Sequence, residues 1–238
     1  MTGAAESGIR PTAYGFPAMA VKAKRIVHLL ILLAASAAFL LPPVGLAQDR
    51  PVTIVVLGDS LTAGYGLAPG KAFPDQLQAA LAARGHDVEV INAGVSGDTA
   101  SGGLARLDWS VPADADAVIV ELGANDALRG IDPRVTHQAL SEIVRRLKER
   151  GQAVLLAGML APRNMGDAYA EAFDAIYPEI AEQEDVALHP FFLEGVATQA
   201  ALNQGDGIHP TAEGVARIVE GILPSVEALI EETRAEAG

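Results

Sequence analysis

Four short segments of this 238-residue chain each hold a residue type that acyl transfer requires. Gly58-Asp59-Ser60-Leu61 offers a hydroxyl nucleophile. Gly97, within Val95-Ser96-Gly97-Asp98, offers a backbone N–H that no side chain shields. Gly123-Ala124-Asn125-Asp126 offers a side-chain amide able to donate to a developing oxyanion. Such a donor contributes about 2.7–4 kcal/mol in comparable sites. Asp206-Gly207-Ile208-His209 offers an imidazole base with a carboxylate three residues before it. In a turn, that spacing lets the carboxylate reach Nδ1, fix the tautomer and stabilise the imidazolium.

Taken singly, each residue has an ordinary explanation. A serine or asparagine in a loop is commonly a cap or an Asx turn, and a glycine there is commonly just a loop glycine. Order and placement after strands are what join them. His209 has few rivals: His86 follows a helix stop and is expected to be exposed, His137 falls within a helix, and His189 ends a short strand as the one competing base. A metal reading of Asp206 and His209 lacks a second pair of ligands at suitable spacing. Gly64 to Lys71 resembles a phosphate loop only superficially, because Ala72 stands where Ser or Thr is required. Glu121 and Asp126 read as lone carboxylates, not a glycosidase pair.

The elements that must position these residues alternate. Residues 52–57, 88–91, 117–121, 153–156 and 186–188 are short apolar, β-branched runs read as strands. Between them, helices are expected over 74–84, 99–107, 132–150 and 169–184, with a last one from Pro210 that Pro224 kinks or restarts. Asp132-Pro133 is a cap followed by a first-turn proline, and Leu140, Ile143, Val144 and Leu147 share one face. This alternation predicts an α/β fold with a parallel sheet and helices on both faces. In such sheets ligands bind beyond the carboxyl ends of the strands, where the loops holding Ser60, Gly97 and Asn125 lie.

Residues 1–47 read as a secretory signal peptide: a basic stretch at 22–25, an apolar run over 26–41, Pro42-Pro43, then small residues before the cleavage point. Met19 offers an alternative start. The apolar run is shorter than the ~18 residues of a spanning helix. Residues 48–238 are then a single domain of 191 residues, exported to the periplasm or secreted, with no membrane span after cleavage. The whole chain carries a formal charge of −13; the leader holds four basic side chains and one acidic, leaving −16. That surface argues against nucleic acid as a partner and against electrostatic docking on anionic lipid. The absence of cysteine excludes disulfides, a thiol nucleophile and thiolate metal sites.

With these blocks in place, the chain resembles the SGNH (GDSL) hydrolase family, named for a serine, a glycine, an asparagine and a histidine. Within it the closest likeness is to the periplasmic acyl-CoA thioesterase I / lysophospholipase / arylesterase group. Further phrases that carry it are Leu57 to Tyr65, Gly103-Leu-Ala-Arg-Leu107, Leu128-Arg-Gly130, Ala172 to Pro178 and Pro190-Phe-Phe192. The likeness runs over about residues 52–230. It implies a three-layer α/β/α sandwich, flavodoxin-like, with a five-stranded parallel sheet. It implies a triad of Ser60, Asp206 and His209, and an oxyanion hole from the Ser60 and Gly97 amides plus the Asn125 side chain. Ala124 departs from the family's frequent glycine, a change that could tilt Asn125.

The expected activity is serine hydrolysis of carboxylic esters and thioesters through an acyl-serine, on a small acyl ester or thioester that includes lysophospholipid, without cofactor or metal, by a monomer. Met165, Phe191 and Phe192 are expected to line an acyl groove near His209. Two alternatives are a carbohydrate O-acetyl esterase with the same catalytic residues and a non-catalytic lipid-binding or envelope protein on the same fold. The low aromatic content, 5%, speaks against a sugar-binding surface.

Overall fold

The computed structural model describes residues 2–3 and 50–236; the signal-peptide reading lies outside these, apart from Thr2 and Gly3. Five strands form one parallel sheet: β1 (Val52–Gly58), β2 (Val88–Gly94), β3 (Ala117–Glu121), β4 (Ala153–Ala157) and β5 (Ala187–His189). Their spatial order is β2-β1-β3-β4-β5. The chain therefore leaves β1 toward one edge and returns on the other side of it, placing the switch point above β1 and β3. β1 and β3 are buried almost throughout, as inner strands must be when both faces are covered. β2, at the edge, is only partly buried.

The helices are α1 (Ser60–Ala63), α2 (Phe73–Ala83), α3 (Ala100–Ser110), α4 (Ala124–Leu128), α5 (Pro133–Glu149), α6 (Asp167–Asp174), α7 (Ile176–Glu184) and α8 (Ala212–Glu236). α2 packs on α8, while α5 packs on both α3 and α7. The two groups cover opposite faces of the sheet, giving the three-layer α/β/α sandwich. α5 starts where expected: Asp132 accepts from the Arg134 amide, and Leu140, Ile143, Val144 and Leu147 are buried.

The structure departs from the sequence-based expectation in four places. The segment 169–184 is two helices meeting at Ala175, because Pro178 must sit in a first turn, where its missing N–H costs nothing. α8 begins at Ala212, not Pro210, and Pro224 lies inside it without restarting it, with Ile222, Leu223 and Val226 in the core. Ser60 and Asn125, expected in loops, each sit in a short helical turn. His86 is not exposed: one ring nitrogen lies 3.1 Å from Glu227 of α8, and a fifth of the side chain remains accessible.

Register brings the site together. Gly58 at the end of β1 lies beside Gly94 of β2 and Glu121 of β3. A Cβ on Gly58 would sit 2.1 Å from Thr62 Oγ1, so only glycine fits where the first block turns away from the sheet. Among the described residues, no helix is long and apolar enough to cross a membrane.

Candidate active site

Ser60 is the first residue of α1, directly after β1. Asp59 caps that helix by accepting from the Leu61 amide at 3.0 Å. Gly64 closes it in the left-handed region at φ 82°. The turn thus presents Ser60 at the carboxyl edge of the sheet.

His209 arrives from the far end of the chain. Its Nε2 is 3.0 Å from Ser60 Oγ, and its Nδ1 is 2.6 Å from Asp206 Oδ2. Asp206 Oδ1 accepts from the amides of Ile208 and His209, both at 3.0 Å. The carboxylate thereby folds its own turn as well as holding the ring. Hydrogen bonds from the His209 side chain and from these two amides lower Asp206 to about 2. With Asp206 ionised, Nδ1 carries the shared proton and Nε2 is left to accept from Ser60.

Asn125 stands in the first turn of α4, after Gly123 at φ 115°. A side chain on Gly123 would strike the Tyr177 hydroxyl, which donates to Leu122 O at 2.8 Å. Asn125 Nδ2 donates one hydrogen to Asp59 Oδ2 at 3.0 Å, and among the described residues its second hydrogen has no acceptor. That bond orients the amide, and Ala124 lines the cavity beside it without breaking the contact. Gly97 adopts φ 83°, and its carbonyl accepts from Arg129 at 2.8 Å. Among the described residues, neither the Ser60 nor the Gly97 amide donates a hydrogen bond.

Beneath the serine lies a polar layer that sequence reasoning passed over. Glu121, fully buried, accepts from Thr62 Oγ1 at 2.8 Å and from the Asp59 amide at 3.3 Å. Among the described residues, its other oxygen is buried without a partner. Burial, and next the charge of Asp59, raise Glu121 well above the usual carboxylate range. Burial raises Asp59 to about 6, against the pull of the Leu61 amide and the Asn125 side chain. Removal from water penalises the charged form of Glu121, so burial favours its neutral carboxyl.

Arg106, also buried, donates to Gly58 O and Ala93 O at 2.8 Å and to Asp98 Oδ2 at 2.6 Å, tying the ends of β1 and β2 to the Gly97 loop. One sign of it was legible: an arginine in the same turn as Gly103 and Leu107, which face the core. Asp126, set aside as a lone carboxylate, accepts from the Ala100 amide and Thr136, and so anchors the Asn125 turn to α3 and α5.

A cavity of about 410 Å³ opens at Ser60 and His209, with Asn125, Leu128, Leu160, Phe191 and Ile208 in its wall. Of the three residues expected in an acyl groove, Phe191 lines it. Phe192 does not: it is buried in the core, edge-on to Phe73 with centroids 5.0 Å apart. Met165 also lies outside the wall, turned toward Gly130, where its methyl would be 3.1 Å from a Cβ. His189 makes no hydrogen bond to Ser60; it is half-buried, which lowers its pKa.

Residues 56–217 match the model of the GDSL-like lipase/acylhydrolase family. The chain belongs to this family. It is 41% identical to "Esterase TesA" of Pseudomonas aeruginosa over 77% of this chain and 92% of that protein. It is 39% identical to "Thioesterase 1/protease 1/lysophospholipase L1" of Escherichia coli K12, covering 75% of this chain and 85% of that one. Among solved structures it is similar to AlinE4, described as an SGNH-hydrolase family esterase, with 45% identity, a TM-score of 0.65, and coverage of 76% and 98% of the two chains.

Proposed function

We propose that this member of the GDSL-like family is a carboxylic ester and thioester hydrolase that works through an acyl enzyme on Ser60. The observation that carries the reading is the single imidazole bonded on one side to Ser60 and on the other to Asp206. His209 takes the serine proton as Oγ attacks the carbonyl carbon. The oxyanion then forms toward the Ser60 and Gly97 amides and the free hydrogen of Asn125 Nδ2. His209 gives its proton to the leaving oxygen or sulfur, and next activates the water that releases the acid. Asp206 stays ionised throughout.

The apolar wall of the cavity supports acyl chains longer than acetyl, such as those of lysophospholipids and acyl-CoA, since each buried CH₂ contributes ~0.8 kcal/mol. Relatives named esterase, thioesterase and lysophospholipase support the same breadth of leaving group. A polar sugar site would need hydrogen-bonding side chains where Leu128, Leu160 and Ile208 stand, so the O-acetyl esterase reading is the weaker. The leader-like sequence of residues 1–47 supports export to the periplasm, and we take the working unit to be a monomer.

The test is hydrolysis of p-nitrophenyl esters from two to twelve acyl carbons by the protein lacking residues 1–47, beside Ser60→Ala. Rising kcat/KM beyond two carbons, absent in the variant, is expected. Activity confined to acetyl esters would favour the carbohydrate esterase. Activity that survives in Ser60→Ala would remove the serine mechanism.

A further inference from the structure

We propose that Tyr65 is the leaving-group platform of this site, the surface over which the alcohol part of an ester lies, so that flat aromatic leaving groups are favoured. The inference rests on the roles given above to Ser60 and His209.

The Tyr65 ring lies on the imidazole of His209, with centroids 4.5 Å apart and planes 36° from parallel. That is contact distance for an aromatic pair. Yet 53% of the residue is exposed, so the ring is not buried by the pairing. Its position is fixed from both sides. Gly64 and Gly66 flank it at φ 82° and 72°, and a Cβ on Gly66 would fall 2.2 Å from Gln204 Oε1. Gln204 Nε2 donates to Tyr65 O at 2.8 Å and to Pro210 O at 2.9 Å, while the Gln204 amide donates to His209 O at 2.7 Å. One glutamine therefore joins the loop of the ring to the loop of the base.

The two halves of an ester are separated by the reaction itself. The acyl half belongs in the cavity, whose wall includes Ser60, Asn125, Leu160 and His209 but not Tyr65. The leaving oxygen must come within hydrogen-bond reach of His209 Nε2 to receive its proton. Its substituent then projects outside the cavity, toward the exposed Tyr65 ring that adjoins the imidazole. The ring face also stabilises the imidazolium present at that moment.

The test compares phenyl butyrate with 2,2,2-trifluoroethyl butyrate, which share an acyl group, in wild type, Tyr65→Leu and Tyr65→Phe. The quantity read is the ratio of kcat/KM for the phenyl ester over the trifluoroethyl ester. Leucine keeps bulk without an aromatic face and is expected to lower the ratio about 3–10-fold. Phenylalanine is expected to return it to the wild-type value. Equal losses on both esters in Tyr65→Leu, or a Tyr65→Phe ratio as low as that of Tyr65→Leu, would overturn the platform and leave the ester-hydrolase reading standing. A wild-type protein inert toward both esters would overturn that reading, and the platform with it.

Discussion

Two sets of carboxylates serve this site, and their surroundings treat them in opposite ways. Asp206 is partly exposed and sits in a ring of donors, so it is held at about 2 and keeps its charge beside His209. Asp59 and Glu121 lie under Ser60, out of water, and both are raised by burial. The exposed carboxylate contributes charge to the base. The buried ones contribute geometry: Asp59 caps the turn of the nucleophile and orients Asn125, and Glu121 props the Asp59 amide through its contact with that N–H. One residue class is put to two uses, decided by solvent and donors and not by identity.

The contrast can be broken by removing charge without shape. Asp206→Asn should lower kcat about 10³–10⁴-fold, because the ring loses both its tautomer lock and its counter-charge. Thermal stability should change little, since asparagine keeps an Oδ1 that accepts from the Ile208 and His209 amides. A loss below tenfold in steady-state ester hydrolysis would mean that the charge of Asp206 is not what activates His209.

On the buried side, Asn125→Ala should reduce kcat about 10²–10³-fold with a smaller change in KM, since the donor matters most when the oxyanion exists. An unchanged kcat would remove Asn125 from the oxyanion site and leave its bond to Asp59 a structural one.

The smallest effect on rate should come from Glu121→Gln, which keeps a neutral acceptor of similar shape. Its signature is in stability against pH. A carboxyl group raised in the folded state holds its proton where the unfolded chain has already released it. Stability is therefore lost as pH rises from the unfolded value, near 4.3, toward the folded one. Wild type should lose more Tm between pH 4.5 and pH 8 than Glu121→Gln does. Parallel Tm profiles for the two proteins would mean that Glu121 is ionised in the fold.

What the sequence made legible was whatever is local along the chain. The Asp206 and His209 pair could be read because its geometry is a turn of four residues. The strands before Ser60 and Asn125 could be read because buried parallel strands are plain apolar runs. Glu121 was dismissed because its partner Thr62 is 59 residues away, and nothing in the sequence says that the ends of β1 and β3 are neighbours. Arg106 reaches Gly58 across 48 residues by the same register. Phe191 and Phe192 are adjacent aromatics of one type, and only the course of the chain after β5 decides that the first meets the cavity and the second meets Phe73. Short helical turns such as those bearing Ser60 and Asn125 leave too few residues for any periodicity to show.

The central claim is that the Ser60 hydroxyl, activated by His209, is the nucleophile. An organophosphonate ester with a good leaving group, followed by peptide mass mapping, tests it directly. One adduct on Ser60, formed by wild type, greatly slowed in His209→Ala and absent in Ser60→Ala, is the predicted result. Label on another residue, or equal labelling rates with and without His209, would contradict it.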